Sequence, residues 1–336
     1  MRCLVTGVAG FIGSHLAERL VELKHDVVGV DRFTDYYPRA IKEKNLGRLH
    51  SATRFSLAEV DLGTADLDPL LEGVEVVFHL AAQAGVRASW GERFETYLHD
   101  NVLATQRLLE AVSATTVQRF VYASSSSVYG VETDALGARG EPRPASPYGV
   151  SKLAAETLVG AYANCYGVPA VSLRYFSVFG PRQRPDMAAH RFIEALLDNR
   201  PLKLFGDGRQ VRDFTYVEDV VAATVRALFA DLPPAAVLDV ASGRPTAVST
   251  LIGELRDLVG STVAGLEQYD ERPGDVPRTE GDITTARQHL DWSPGTDLRT
   301  GLMRQVAWHR GLRDGATSDE MAMGDGTLLP AAGGDR

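Results

Sequence analysis

Arg2-Cys3-Leu4-Val5-Thr6-Gly7-Val8-Ala9-Gly10-Phe11-Ile12-Gly13-Ser14-His15-Leu16 stands at the head of the chain and decides its fold. Arg2 to Thr6 reads as a short buried strand that passes directly into a turn of three glycines and a helix start. Glycines there permit a tight turn, a close backbone approach to a pyrophosphate and close helix–sheet packing, while the first helical turn offers free N–H groups to the anion. The spacing is Gly-x-x-Gly-x-x-Gly, which departs from the Gly-x-Gly-x-x-Gly of ordinary dehydrogenases.

A second strand, Val27 to Asp31, ends in a carboxylate about 20 residues beyond the turn, where it would accept hydrogen bonds from an adenosine ribose. Asp31 therefore favours NAD over NADP, whose 2′-phosphate it would repel, although the adjacent Arg32 could accommodate that phosphate. Further strands are predicted at Arg54–Leu62, Val74–Ala81, Arg119–Ser124 and Ala170–Tyr175, separated by helical segments. This alternation predicts an α/β protein with a Rossmann-type, doubly wound parallel sheet. Ligands of such sheets bind beyond the carboxyl ends of the strands, where Gly7, Asp31, Asp61, Ala81 and Ser125 all fall.

Ser125 lies in the run Ser124-Ser125-Ser126-Ser127-Val128-Tyr129-Gly130, and Tyr148-Gly149-Val150-Ser151-Lys152 follows it. Residues four apart share a helical face, so the Lys152 ammonium can lower the Tyr148 phenol pKa and leave a usable base near neutral pH. A serine at a strand end would position the hydroxyl that loses its proton. The Tyr-x-x-x-Lys spacing is weak by itself and gains its meaning from the glycine turn, whose spacing is the variant that accompanies it.

The chain has 336 residues, 44% hydrophobic and 24% charged, enough for a large core and a second, smaller lobe. A net charge of −9 with no basic stripe argues against nucleic acid. No stretch approaches the length of a membrane span and the N-terminus reads as strand, so no membrane association and a cytoplasmic location are expected. Cys3 and Cys165 have no ligand-like neighbours; they read as buried thiols, and no metal is expected. Residues 314–336 are polar and glycine-rich and read as a disordered tail.

These motifs resemble the extended short-chain dehydrogenase/reductase family, specifically its nucleotide-sugar 4-epimerases and among them most nearly the UDP-glucuronate 4-epimerases, over nearly the whole chain to about Arg313. Three further segments carry the likeness: Asp31 to Pro38, His79 to Arg87, and Phe179-Gly180-Pro181-Arg182-Gln183-Arg184-Pro185-Asp186-Met187-Ala188. The resemblance implies that Tyr148 deprotonates the sugar O4 while C4 passes hydride to NAD, giving a bound 4-keto sugar that turns over and receives the hydride on its other face. NAD would stay bound through turnover. Ser125 would bind O4, and Lys152 would also hold the nicotinamide ribose. The implied NAD-binding set is Gly7, Gly10, Phe11, Ile12, Gly13, Asp31, Arg32, Asp61, Leu62, Ala81, Ala82, Gln83, Asn101, Tyr148, Lys152 and Tyr175. Asn101 reads equally as a helix-face hydrogen bonder.

For the nucleotide sugar, the resemblance implies that Arg212 and Arg272 hold the diphosphate, that Asp275 binds the uridine ribose, and that Phe205 lies near the base, with Arg87 also among the substrate contacts. Arginine suits the task because its planar fork pairs with phosphate oxygens. Arg184 would grip the C6 carboxylate together with Ser126, Ser127 and Ser177, where threonine is more usual at position 177. A neutral hexose would leave a buried Arg184 unpaired. Thr279 falls near the sugar C2 substituent. Oxidising C4 of a uronate makes a β-keto acid, and the related decarboxylases carry glutamate where Ser127 stands. The 4,6-dehydratases carry an Asp-Glu pair at Ser126 and Ser127, so the serines point to simple epimerisation.

The expected activity is thus interconversion of UDP-glucuronate and UDP-galacturonate. The alternatives are a UDP-glucose/UDP-galactose 4-epimerase, a UDP-glucuronate decarboxylase and a non-catalytic NAD-binding scaffold. A nucleotide-binding lobe over 1–176, with a return contribution from about 211–243, and a UDP-sugar lobe over 177–313 are expected to enclose the site. Resemblance implies a homodimer through the helices that begin near Phe94 and Tyr148.

Overall fold

The computed structural model describes residues 1–130, 141–261 and 265–315. Its first half alternates strand and helix: β1 (Arg2–Thr6), α1 (Phe11–Glu22), β2 (Asp26–Asp31), α2 (Arg39–Asn45), β3 (Phe55–Glu59), α3 (Asp68–Leu71) and β4 (Val76–His79). There follow α4 (Phe94–Tyr97), a π-helical turn at Leu98–Leu103, α5 (Ala104–Ser113), β5 (Arg119–Ser125), α6 (Pro147–Tyr166) and β6 (Ala170–Tyr175). The second half holds β7 (Val178–Phe179), α7 (Ala188–Leu197), β8 (Leu202–Phe205), β9 (Val211–Arg212), β10 (Thr215–Tyr216) and α8 (Val217–Arg226). It ends with β11 (Ala236–Val240), β12 (Thr246–Ala247), α9 (Val248–Val259), β13 (Leu266–Tyr269), α10 (Thr284–Leu290) and α11 (Leu298–Arg313).

Seven strands form one parallel sheet in the order β11-β6-β5-β4-β1-β2-β3. The chain winds outward from β1 to β3, returns to β4 beside β1, and winds the other way. Strand order therefore reverses between β1 and β4, the position where sheets of this kind open a crevice for a ligand. The sheet carries apolar side chains on both faces, as parallel sheets covered by helices do. Cys3 and Val5 of β1 pack into one cluster and Leu4 into the other. Val76 and Phe78 alternate with Val77 in the same way, as the two-residue period requires.

The six predicted strands are all present: β1 and β6 match their sequence runs, β2 and β5 are one residue longer, and β3 and β4 are shorter. The seventh, β11, comes from beyond the first half and pairs with β6 from Ala236↔Val171 to Val240↔Tyr175. The remaining strands form three two-stranded pairs, β10 with β7, β12 with β9 and β13 with β8. The expected tail begins in the turn at Asp314–Gly315 and otherwise lies outside the described residues. Among the described residues no helix is long and apolar enough to cross a membrane. Cys3 is buried as expected, whereas Cys165, on an exposed stretch near the end of α6, is exposed.

Candidate active site

One cleft of about 890 Å³ runs from the glycine turn after β1 to Asp275. Every residue anticipated for NAD and sugar nucleotide lines it except Asn101 and Arg272. Asn101 is buried, and its amide bolts two elements together: Oδ1 accepts from Gln83 N (2.7 Å), while Nδ2 donates to Gln83 O (3.0 Å) and to Ser151 Oγ on α6 (2.9 Å). The π-helical turn widens the helix by one residue and aims Asn101 at that junction. Arg272 sits exposed at the rim, its guanidinium 5.2 Å from the Phe205 ring centroid.

At the glycine turn, Gly7 has φ +69°, and a Cβ on Gly13 would lie 2.2 Å from the Gly7 carbonyl oxygen. Only glycine lets α1 start this close to β1. Gly10 caps the helix without a side-chain hydrogen bond, and no acidic residue occupies the first turn, so its amides face the cleft as an anion site. Asp31, at the end of β2, accepts from Ala9 N (3.2 Å), Phe33 N (2.8 Å) and Lys42 Nζ (3.1 Å). Arg32 turns away from it and donates to Asp61 (2.8 Å) and Asp100 (2.7 Å). A guanidinium already held by two carboxylates is poorly placed to serve a 2′-phosphate. These residues fit NAD: an anion-binding helix start, an acid at the ribose position and apolar Leu62, Ala81 and Ala82 along the groove.

The residues expected at the reacting end gather at the carboxyl end of β5. Ser125 ends the strand opposite Tyr175 in register, and its Oγ accepts from Ser127 N at 3.1 Å. Ser146 caps α6 by accepting from Gly149 N (3.1 Å), and Pro147 occupies the first helical turn. Gly149 allows a close approach, since a Cβ there would lie 2.3 Å from the Ser127 carbonyl oxygen. This contact seats Tyr148 against the serine turn. Burial pushes the Tyr148 pKa above its ordinary value, while hydrogen bonding to Ser125 and the nearby Arg184 charge pull it back. Tyr97 meets the Tyr148 ring edge-on at 6.1 Å.

Lys152 is buried, and burial lowers its pKa to about 7 against the opposing pull of Glu156 one helical turn further on. Its Nζ donates to Ala123 O (2.6 Å) and lies 4.3 Å from the Tyr122 ring centroid. Behind it a buried polar chain ties the strand ends together. Glu156 receives Ser124 Oγ (2.5 Å) and the fork of Arg174, Arg174 also donates to Tyr129 Oη (2.7 Å), and Tyr129 donates to Asp239 on β11 (2.7 Å). Such a chain rigidifies the sheet edge on which Ser125 stands.

In the substrate half, Arg184 is half-buried and pairs with Asp186, which Tyr36 also contacts. Ser126, Ser127, Ser177 and Thr279 line the same space. Arg87 donates to Asp275 (2.8 Å) and stacks 4.2 Å over the Phe205 ring. Arg212 points inward, donating to Val211 O (2.8 Å), and burial lowers its pKa. Tyr175 keeps its hydroxyl on Thr224 (2.7 Å), so it offers the cleft its ring. The sequence reading missed Tyr36, Lys42, Asp186 and Arg191, all of which line the cleft. The Asp31–Pro38 and Phe179–Ala188 segments had marked the neighbourhoods of Tyr36 and Asp186, but nothing local distinguished Lys42 or Arg191.

A doubly wound sheet with a dinucleotide groove, joined to an arginine-lined pocket at a tyrosine, lysine and serine cluster, defines a nucleotide-binding α/β enzyme of the dehydrogenase type. The chain belongs to the NAD dependent epimerase/dehydratase family, whose sequence profile matches residues 3–238. It is 44% identical over 316 residues to an uncharacterised UDP-glucose epimerase of Bacillus subtilis, YtcB, covering 94% of this chain and 100% of the relative. The structure of a UDP-glucuronic acid 4-epimerase from Bacillus cereus with UDP-glucuronic acid and NAD superposes with a TM-score of 0.90 at 40% identity, over 93% of this chain and 100% of that one. MoeE5, solved with NAD and either UDP-glucuronic acid or UDP-glucose, is also 40% identical, with TM-scores of 0.83 and 0.84 over 92–93% of this chain and 99–100% of MoeE5.

Proposed function

We propose that the protein is an NAD-dependent 4-epimerase that interconverts UDP-glucuronate and UDP-galacturonate. The observation that carries this reading is Arg184: a half-buried guanidinium in the same cleft as Tyr148, with small hydroxyl residues and no carboxylate at positions 126, 127 and 177. Likeness to the Bacillus cereus enzyme supports it.

NAD, when bound, would supply the acceptor and then the donor of the sugar C4 hydride. Tyr148 takes the O4 proton and gives it back, and Ser125 orients that hydroxyl. Burial keeps the resting Tyr148 protonated, so the hydrogen bond from Ser125 and the positive charge of Arg184 serve to favour the phenolate when the proton must leave. Arg212 and Arg272 neutralise the diphosphate, and Arg87 stacks over Phe205 at the uridine end. Arg184 and the serines fix the C6 carboxylate so that its bond to C5 stays out of line with the C4 ketone, and CO₂ is retained. Ser126 and Ser127 put no acid at either of those positions to protonate that carboxylate.

We further propose a nucleotide-binding lobe over 1–176 with a return contribution from about 211–243, which holds α8 and β11, and a sugar-binding lobe over the rest of 177–313. We assign a homodimer through α4 to α6, supported by exposed Leu98, Leu103 and Val150 on those helices. Free Cys3 and exposed, free Cys165 support a reducing compartment, the cytoplasm.

A UDP-glucose/UDP-galactose activity is the second reading, favoured by MoeE5 with UDP-glucose and by the Arg184–Asp186 pair. The test is incubation of purified protein with UDP-glucuronate, without added NAD, followed by proton NMR. A galacto-configured product with C6 retained is expected. A pentose product would replace epimerisation by decarboxylation, and turnover of UDP-glucose alone would promote the second reading.

A further inference from the structure

We propose that Asp186 is a resident stand-in for the sugar's C6 carboxylate and that, with Tyr36 holding it, it sets how the cleft divides between acidic and neutral nucleotide sugars. The inference rests on the epimerase reading and sharpens its substrate class.

Arg184 Nε donates to Asp186 Oδ1 at 2.9 Å and Nη2 to Oδ2 at 3.1 Å, so one full edge of the guanidinium fork is engaged. Tyr36 Oη donates to the same Oδ2 at 3.1 Å from a loop 150 residues away in sequence. All three side chains line the cleft with Tyr148 and Ser125. The pair is built on a turn, closed by Met187 N donating to Arg184 O at 3.1 Å. Two residues apart on such a turn, the carboxylate meets the guanidinium at little entropic cost whenever no ligand competes. Both charges reach the base: Arg184 lowers and Asp186 raises the Tyr148 pKa.

Two consequences follow from the chemistry. A neutral hexose can enter without stranding a desolvated arginine, because Asp186 already answers its charge; an unpaired guanidinium would otherwise select strongly against that sugar. A uronate must instead take the free Nη1 edge beside a second carboxylate or displace Asp186 from the fork. Either route sets two like charges on one cation, which weakens uronate binding relative to a cleft without Asp186. Asp186 thereby buys tolerance of neutral sugars with uronate affinity.

The test uses Asp186→Asn in the NAD-loaded enzyme. Asparagine preserves the shape of the side chain, keeps one acceptor for Arg184 and removes the charge. Affinities for UDP-glucuronate and UDP-glucose are measured by calorimetry in a Tyr148→Phe background, so that no turnover intervenes. The uronate-over-hexose preference is expected to rise about tenfold or more. Tyr36→Phe, which loosens Asp186 without touching its charge, is expected to shift the preference the same way by about two- to threefold. An unchanged ratio in Asp186→Asn, or a fall in uronate affinity showing that Asp186 only props Arg184 in place, overturns the proposal. The epimerase reading is judged separately, by wild-type turnover of UDP-glucuronate, and survives either of those results.

Discussion

The two halves of the cleft present anion-seeking groups by different means. On the dinucleotide side the work is done by backbone: a glycine turn, the open end of α1 and strand termini locked in a parallel sheet. The charged side chains there are paired among themselves, Asp31 with Lys42 and Arg32 with Asp61 and Asp100. On the sugar-nucleotide side, arginines from loops and two-residue strands supply the charge, and two of them are paired with acids that lie within the cleft, Arg184 with Asp186 and Arg87 with Asp275. Backbone donors cannot be exchanged, which suits a cofactor that stays through every turnover. Side-chain ion pairs can trade one carboxylate for another, which suits a ligand that comes and goes.

Tyr148 stands where the halves meet, and its replacement is the sharpest test that they act on one reaction. Tyr148→Phe is expected to reduce kcat by about 10³-fold or more, roughly 4 kcal/mol of barrier, while the purified protein keeps its NAD. Nucleotide release by acid and chromatography checks the second point; normal turnover would remove Tyr148 as the base.

Arg184→Ala tests the exchangeable half. Turnover of UDP-glucuronate is expected to fall about a hundredfold in kcat/KM and that of UDP-glucose by much less. Equal losses on both sugars would show that Arg184 serves the pocket as a whole. Gly13→Ala tests the fixed half, because its Cβ meets the Gly7 carbonyl at 2.2 Å. A loss of about 1–3 kcal/mol of stability is expected together with protein that purifies poor in NAD. Full occupancy would show that the turn can yield.

The smallest effect concerns the helices that frame the sugar side. Glu194 on α7 accepts from His309 on α11 (2.5 Å) and from Arg313 (2.8 Å). The His309 bond, with help from Arg313, holds the Glu194 pKa down at about 2 against burial. Its contribution is therefore complete above about 4.5 and is lost as pH falls toward 2. Glu194→Gln is expected to lower Tm by about 2 °C at pH 6, reflecting no more than about 1 kcal/mol once solvent screening is allowed for, and the difference should close on acidification. A Tm gap that persists at pH 2 would assign the effect to packing.

How far the chain could be read in advance follows the same division. The strand, glycine turn and helix of residues 2–16, the acid ending β2 and the Tyr148–Lys152 spacing are all short-range patterns, and Gly7, Gly10, Gly13, Asp31, Tyr148 and Lys152 line one cleft. Asn101 was drawn toward the cofactor by its position in a motif, yet its amide joins the Gln83 loop to α6. Arg32 stood open as a phosphate partner until Asp61 and Asp100 took both of its ends.

Sequence alone determined the parallel sheet, the glycine turn and the spacing of Tyr148, Lys152 and the serines before them. It could do so because two-residue and 3.6-residue periods and glycine geometry are properties of adjacent residues. Tertiary structure alone decided the pairings: Lys42 on Asp31, Arg32 on two aspartates, and Tyr36 on the Asp186 that holds Arg184. Each depends on where separate loops and helices come to rest around the sheet, and a charge gains its partner only after that packing is complete.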